Sequence, residues 1–470
     1  MKNRAVRAIL FAIILFSLFF SSSNPSLGFE GFPKGETIGQ VFCRANLKQS
    51  YALFLPTSYE ADRKWPVLYC FDPFSQGRVP VEQFKEAAEK YGYILVGMNN
   101  SKNGEFEKSL EALEAVWKDT QERLSIDEKR IYIAGFSGGA RVASIVGSLC
   151  GGCVAGVIGC AAGFHLKFAP VENMPFVYFG TIGTDDFNYP EMKSLEADLD
   201  KKHVVNRLEV FEGAHAWAPK DLCIKALGWM ELQAIKGGLR EKNESLIDEL
   251  FKKAVEEARN FEKNYDSYEA YLKYETIAED FKGLRDVAEF EREAARLKKT
   301  SEVREAIKEE KAEAQQQEIL EQEIMDIAED YIKPETQMEA LGQLRKRIAE
   351  IRKDAQRPND DRKRRVARRA LSHMFEEFYE VGSIVKVNDY ELAVANIEIA
   401  MEINSNDKRA PYALACVQAT KGEKKKALAA LKKAVEKGFT SMAAITDCKG
   451  FDSLRQDPEY QKIIQSMNAK

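Results

Sequence analysis

Ser137 is the residue whose type and setting best suit covalent chemistry. It lies in Arg130–Ala143, which reads R-I-Y-I-A-G-F-S-G-G-A-R-V-A. A serine hydroxyl attacks an acyl carbon once a base takes its proton and an acid orients that base. N–H donors must also meet the oxyanion that forms. Ile131–Ala134 is a short apolar run of the kind that makes a buried parallel strand, and Ala140–Gly147 reads as a helix of small residues. Strand, G-x-S-x-G and helix, in that order, make the sharp turn that lifts a serine above a sheet, with the helix N-terminus behind it. The bland alternative is a glycine turn that only packs a strand onto a helix, and the flanking strand and helix weigh against it.

In such sheets the partners follow the serine in the order Asp or Glu, then His. Four histidines are available. His165 precedes any plausible acid, and His373 lies in a charged helical stretch. His203 opens an apolar run into a strand and would point along the sheet. His215 sits in the small-residue loop Glu212-Gly213-Ala214-His215-Ala216-Trp217 directly after that strand, where a base belongs. The acid should end the strand before it, and Phe176–Gly180 leads into Thr181-Ile182-Gly183-Thr184-Asp185-Asp186. Asp186 is the expected acid. Either aspartate could instead cap the next helix or bond its own backbone.

The elements that must position these residues can be read along the chain. Gln40–Ala45 and Tyr51–Pro56 alternate as an antiparallel pair at a sheet edge. Val67–Phe71 is a central strand ending in the loop Asp72-Pro73-Phe74-Ser75-Gln76-Gly77. Helix Val81–Tyr91, strand Tyr93–Met98, polar loop Asn99–Gly104 and helix Phe106–Leu124 lead to the elbow. Strands Val154–Cys160, Phe176–Gly180 and Leu208–Phe211 follow, with helices over Met192–Lys201 and Asp221–Lys236. Strands alternating with helices predict an α/β fold with a mostly parallel, doubly wound sheet.

Past Gly237-Gly238 the strand signal vanishes and Glu, Lys, Arg and Ala dominate. Ile247, Leu250, Phe251, Ala254, Ala258 and Phe261 recur at helical spacing. Lys308–Gln317 is polar all round and reads as a bare connecting helix, and the Arg362–Arg369 cluster as a solvated helix face. In the last hundred residues Asn388-Asp389-Tyr390-x-x-Ala393 is matched by Gly422-Glu423-x-x-x-Ala427, and Ala400 pairs with Ala434 at the same offset of 34. That period resembles the tetratricopeptide repeat (TPR). The first unit lacks the expected proline, and Phe451 through Ile464 looks like a capping helix. The expected division is 1–28 signal segment, 29–237 sheet domain, 238–375 charged helical region, and 376–470 TPR-like repeats with a capping helix.

Residues 37–237 resemble the α/β-hydrolase superfamily, and within it exported esterases of the poly(3-hydroxybutyrate) depolymerase and feruloyl-esterase sort. The resemblance implies Ser137 as nucleophile, Asp186 as acid, His215 as base and the N–H of Gly138 as one oxyanion donor. Gly183-x-x-Asp186 and Gly213-x-His215 are typical settings for acid and base. Many relatives carry His-Gly after the strand where this chain has Asp72-Pro73, and Pro73 has no N–H to give. Phe74 is the nearest substitute donor. The expected activity is carboxylic-ester hydrolysis through an acyl-enzyme, on a small-molecule or polymeric ester. A serine peptidase of the same fold and a non-catalytic TPR scaffold are the rivals. No metal or organic cofactor is implied.

The totals set the remaining bounds. Of 470 residues, 45% are apolar and 30% charged, with a mean hydropathy of −0.39, which fits a core plus long solvated helices. Eight cysteines are few for a disulfide scaffold of this length. Cys150-Gly-Gly-Cys153 closes a helix rather than opening one, which favours a structural disulfide or two buried thiols over redox work; Cys70 reads as core. Lys2, Arg4 and Arg7 precede the apolar run Ala8–Phe20 and then Ser26-Leu27-Gly28, the three regions of a secretory signal peptide. Without it 66 basic residues face 74 acidic, a balance of −8, which argues against nucleic-acid binding. The expected location is therefore periplasmic or secreted, with membrane contact only through an uncleaved N-terminal segment, and with the repeats offering a surface to a protein partner. Intact mass of the exported protein should show cleavage near Gly28; a full-length cytosolic product overturns that expectation.

Overall fold

A computed structural model describes residues 31–104, 106–333, 335–359, 362–383 and 389–468. The expected signal segment lies outside them. The chain divides into two compact units, one up to Lys311 and one over Ala312–Lys470.

The first unit is built on an eight-stranded sheet: β1 (Thr37–Cys43), β2 (Asn46–Phe54), β3 (Trp65–Phe71), β4 (Ile94–Met98), β5 (Ile126–Phe136), β6 (Gly156–Cys160), β7 (Val177–Gly183) and β8 (Asn206–Phe211). Their spatial order is β1-β2-β4-β3-β5-β6-β7-β8. β1 and β2 pair antiparallel, as do β2 and β4, and every later pairing is parallel. This is the mostly parallel sheet expected of an α/β fold. Every residue of β3, β4 and β6 is buried, which in a parallel sheet requires helices on both faces. They are α1 (Arg78–Tyr91), α2 (Phe106–Arg123), α3 (Gly138–Leu149), α4 (Tyr189–Lys201) and α5 (Lys220–Lys236). β5 begins before the apolar run because the partly exposed, polar Asp127–Arg130 form its first half. At the β2 end, Tyr51 Oη donates to Asp119 Oδ2 at 2.8 Å, and Arg123 pairs with the same carboxylate at 2.9 Å. The buried Asp119 carboxylate is thus paired, as burial demands.

Helices α6 (Glu244–Lys263), α7 (Ser267–Phe281), α8 (Ala288–Leu297) and α9 (Ser301–Ile332) follow. The composition change at Gly237-Gly238 and the edge of the first compact unit are therefore two different places. α6 to α8 come after the first and before the second. Charge ties α7 to β8. Arg207 bonds Thr276 Oγ1 at 2.7 Å and Asp280 Oδ1 at 2.9 Å, and Trp229 Nε1 donates to that same Asp280 oxygen at 2.7 Å. Glu209 Oε2 accepts from Lys225 at 3.0 Å and from Lys273 at 2.9 Å.

In the second unit the rest of α9 joins α10 (Gln337–Ala355), α11 (Arg362–Ser383), α12 (Tyr390–Ile403), α13 (Arg409–Thr420), α14 (Lys424–Glu436), α15 (Met442–Asp447) and α16 (Pro458–Asn468). Ala400 and Ala434, related by the offset of 34, are both fully buried. Two expectations are corrected here. Lys308–Gln317 is not bare, because Glu313 and Gln317 are buried. The Arg362–Arg369 cluster is not simply solvated either. Arg365 donates to Glu313 at 3.1 Å, and the buried Arg369 donates to it at 3.3 Å. Charges on a polar helix are read as outward-facing unless a partner elsewhere in the chain turns them in.

Cys150 and Cys153 form a disulfide, and so do Cys416 and Cys448, which links α13 to the turn after α15. Cys70 is fully buried in β3, as expected. Among the described residues no helix is long and apolar enough to cross a membrane.

Burial alone would raise the Glu209 carboxyl, but Lys225, Lys273 and Arg207 outweigh it and hold the group down from 4.5 to about 2. A depressed carboxylate contributes stability above its unfolded pKa and loses it as pH falls through the folded one. Glu209→Gln should thus cost about 3 kcal/mol at neutral pH, since it breaks a buried pair from one side. Denaturant melts should show the gap between variant and wild type closing as pH drops from 4.5 towards about 2. Equal stabilities at neutral pH would refute the role given to this cluster.

Candidate active site

Ser137 stands at the end of β5 as the cap of α3, with φ 52° and ψ −122°. An L-residue with positive φ is strained, and surrounding structure must enforce it. Here the enforcement is close backbone approach. A Cβ on Gly135 would lie 2.1 Å from the carbonyl oxygen of Gly139, and one on Gly139 would lie 2.1 Å from that of Phe71. Both positions must therefore be glycine for α3 to cross the ends of β3 and β5. The Ser137 N–H donates to the Cys160 carbonyl at 2.9 Å, which pins the turn to β6.

Of the two aspartates after β7, Asp186 meets the histidine. His215 Nδ1 lies 3.0 Å from both Oδ1 and Oδ2 of Asp186, whose side chain is fully buried. The Asn188 N–H also donates to Oδ1 at 2.9 Å. Asp185 is placed by its backbone instead, its N–H donating to Gly213 at 2.8 Å, which ties the acid loop to the base loop. With Nδ1 turned onto a carboxylate, Nε2 is the nitrogen left to accept a proton. Two rings pack near the imidazole. Phe136, next to Ser137, is 4.8 Å away and Phe187, next to Asp186, is 4.4 Å away. Phe136 thus carries the serine turn to the histidine. Ser137 Oγ itself makes no hydrogen bond to His215 among the described residues, a bond that often closes only with substrate in place.

The loop after β3 differs from expectation. Asp72 is 2% exposed, and its carboxylate folds the loop onto itself. Oδ1 accepts from the N–H of Phe74 at 2.9 Å and of Gln76 at 3.2 Å, while Oδ2 accepts from Trp217 Nε1 at 2.9 Å. Burial pushes the Asp72 carboxyl above its usual range, and these three donors oppose that. The Phe74 N–H is committed to Asp72, and the role of second oxyanion donor expected of it is not available in this geometry. Gly138, the other expected donor, opens α3, where the first N–H groups have no intrahelical partner.

The other histidines lie elsewhere. His165 bonds the backbone of Lys167, His203 sits in an exposed turn after α4, and His373 pairs with Glu321 and Glu377 in α9 and α11. Sequence reasoning missed Asp72, whose signal was a lone carboxylate closing a wholly apolar strand just before a proline. It also missed the two rings against the imidazole, whose signal was a phenylalanine beside both Ser137 and Asp186. Among the described residues no cluster of three or more His, Cys, Asp or Glu could hold a metal ion.

No protein-family model matches this chain, and no curated protein does. Solved structures do. S-formylglutathione hydrolase (FrmB) from Staphylococcus aureus is 14% identical, with 42% of this chain and 98% of that one covered at a TM-score of 0.35. A ferulic acid esterase is 19% identical, with 42% and 97% covered at 0.36. An esterase from Pyrobaculum calidifontis is 12% identical, with 50% and 94% covered at 0.36. Likeness of this degree says nothing about the chemistry, which rests on the chain's own residues.

Proposed function

We propose that this protein is a serine hydrolase acting on carboxylic esters through an acyl-enzyme on Ser137. The observation that carries the reading is the His215–Asp186 pair, with Nδ1 at 3.0 Å from both carboxylate oxygens, coupled through Phe136 to a serine in a strained strand-to-helix turn. Ser137 Oγ attacks the ester carbonyl carbon while His215 Nε2 takes its proton. The oxyanion forms against the Gly138 N–H, and the alcohol leaves with the proton from His215. Water, activated by the same nitrogen, then hydrolyses the acyl-enzyme. Asp186 holds the imidazole in the right tautomer and stabilises its charged form.

The reading extends to location and partners. The two disulfides support an oxidising compartment, in line with the signal-like N-terminal sequence. The period of 34 and its buried alanines support a TPR-like protein-binding array in the second unit. One observation favours the non-catalytic rival: Phe74 and Gln76 spend their N–H groups on Asp72, so the loop after β3 offers no obvious oxyanion donor. Fluorophosphonate labelling decides between them, since only an activated serine reacts.

Ser137→Ala and His215→Ala should each abolish nearly all hydrolysis of p-nitrophenyl acetate and butyrate. The double variant should lose little more, because such residues act as a unit. Asp186→Asn should lose orders of magnitude but less than Ser137→Ala, and Asp185→Asn should stay within about threefold of wild type. Wild-type turnover in Ser137→Ala would end the hydrolase reading. A dead Asp185→Asn beside a live Asp186→Asn would overturn only the choice of acid.

A further inference from the structure

An acyl-transfer site that stabilises its oxyanion with one N–H forgoes a factor of about 10²–10³ in turnover relative to one with two. In the loop after β3, where the second donor is expected, no N–H from Pro73 to Gln76 is to spare. Pro73 carries no N–H. That of Phe74 donates to Asp72 Oδ1 at 2.9 Å, that of Ser75 to the Asp72 carbonyl at 3.3 Å, and that of Gln76 to Oδ1 at 3.2 Å. Freeing any of these would loosen a turn that Trp217 also holds from the base loop, and freeing that of Phe74 or Gln76 would strip a buried carboxylate of a donor.

A neighbouring loop supplies what this one lacks. The loop between β4 and α2 is docked on it by three contacts. The Asn103 N–H donates to the Pro73 carbonyl at 2.9 Å, Lys102 pairs as an antiparallel bridge with Phe74, and Ser75 Oγ donates to the Ser101 carbonyl at 2.9 Å. The Asn103 side chain then lies against the elbow itself. A Cβ built on Gly138 would fall 1.9 Å from Asn103 Oδ1, 2.9 Å from Cγ and 3.5 Å from Nδ2. The amide thus occupies the space beside the residue whose N–H is the first donor, and glycine at 138 is what makes room for it. Among the described residues this amide has no hydrogen-bond partner, although its backbone is tied down. Turning it over to exchange oxygen and nitrogen breaks nothing, and which way an asparagine points follows from its bonding partners.

We propose that the Asn103 side-chain amide is the second oxyanion donor, standing in for the backbone N–H that Pro73 cannot give. The assignment rests on the hydrolase reading above. An ester oxygen seated at the Gly138 N–H turns Nδ2 inward, and two donors from two loops then meet the charge that develops on it. Asn103 is a catalytic residue on this account, and its contribution belongs to kcat because the charge is absent from the bound ester.

The test measures kcat and KM on p-nitrophenyl butyrate for Asn103→Ala and Asn103→Asp beside Ser137→Ala. Asn103 is exposed, and both variants should melt as wild type does. Asn103→Ala should lower kcat by about 10²–10³ with KM within about threefold. Asn103→Asp, equal in size but carrying negative charge, should be at least as slow. Affinity for a trifluoromethyl ketone, whose serine adduct bears the oxyanion, should fall by the same factor as kcat/KM. A structural role would not move it in step. If Ser137→Ala is inactive and Asn103→Ala stays within threefold of wild type, the Asn103 assignment is overturned and the hydrolase reading stands. Turnover surviving in Ser137→Ala overturns both.

Discussion

Everything at the candidate site depends on a contact between backbones. Gly139 rests on the carbonyl of Phe71, and Gly135 on that of Gly139, at separations no Cβ could survive. That approach lets α3 start where β5 stops and forces Ser137 to a φ of 52°. The strain costs about 1–3 kcal/mol. It is sustained by β3, β5 and β6, whose apolar side chains are almost all buried and cannot shift without opening the core. A serine hydroxyl on this turn is held by the same packing that stabilises the sheet.

Asp72 plays the corresponding part between loops. Its two oxygens face different ways, one to the backbone of its own turn and one to Trp217 two residues beyond His215. A buried carboxylate is costly unless it is fully bonded, so turn and base loop must assemble together or not at all. The ring of Trp217 continues the link, since it lies 5.7 Å from Phe136, which in turn touches the imidazole. Elbow, base loop and the loop after β3 are thus one connected structure, although they come from distant parts of the sequence.

The sheet was legible because its strands are short apolar runs between polar loops, and the elbow because small residues had to crowd around one serine. The meeting of His215 with an aspartate after β7 was legible from order alone. The choice between Asp185 and Asp186 was not a matter of pattern. Both follow the same strand, and what separates them is that the Asp185 backbone is spent on Gly213 while the Asp186 side chain reaches His215. Phe74 misled because loss of an N–H at Pro73 is visible in sequence, whereas capture of the next N–H by Asp72 is not. Glu313 and Arg369 misled for a related reason, as burial of charge depends on a partner some fifty residues away. The disulfide between Cys416 and Cys448 likewise joins residues 32 apart, with no local spacing to announce it.

The buried charges around β8 raise the question of what they are for. Replacing a buried ion pair by apolar groups is often neutral or stabilising, so stability alone is weak ground for Arg207, Glu209 and Asp280. Their geometry points to register. β8 is the edge of the sheet, and an exposed edge invites pairing with another chain. Arg207 and Glu209 are two residues apart, hence on one face of that strand, and they meet Asp280 and Lys273 on α7. Asp280 also accepts from Trp229 on α5. An apolar seam would tolerate α7 sliding by a turn, but this one would leave a charge buried without its partner. The charges thus hold α7 at one position along β8, beside the strand that leads directly into the His215 loop.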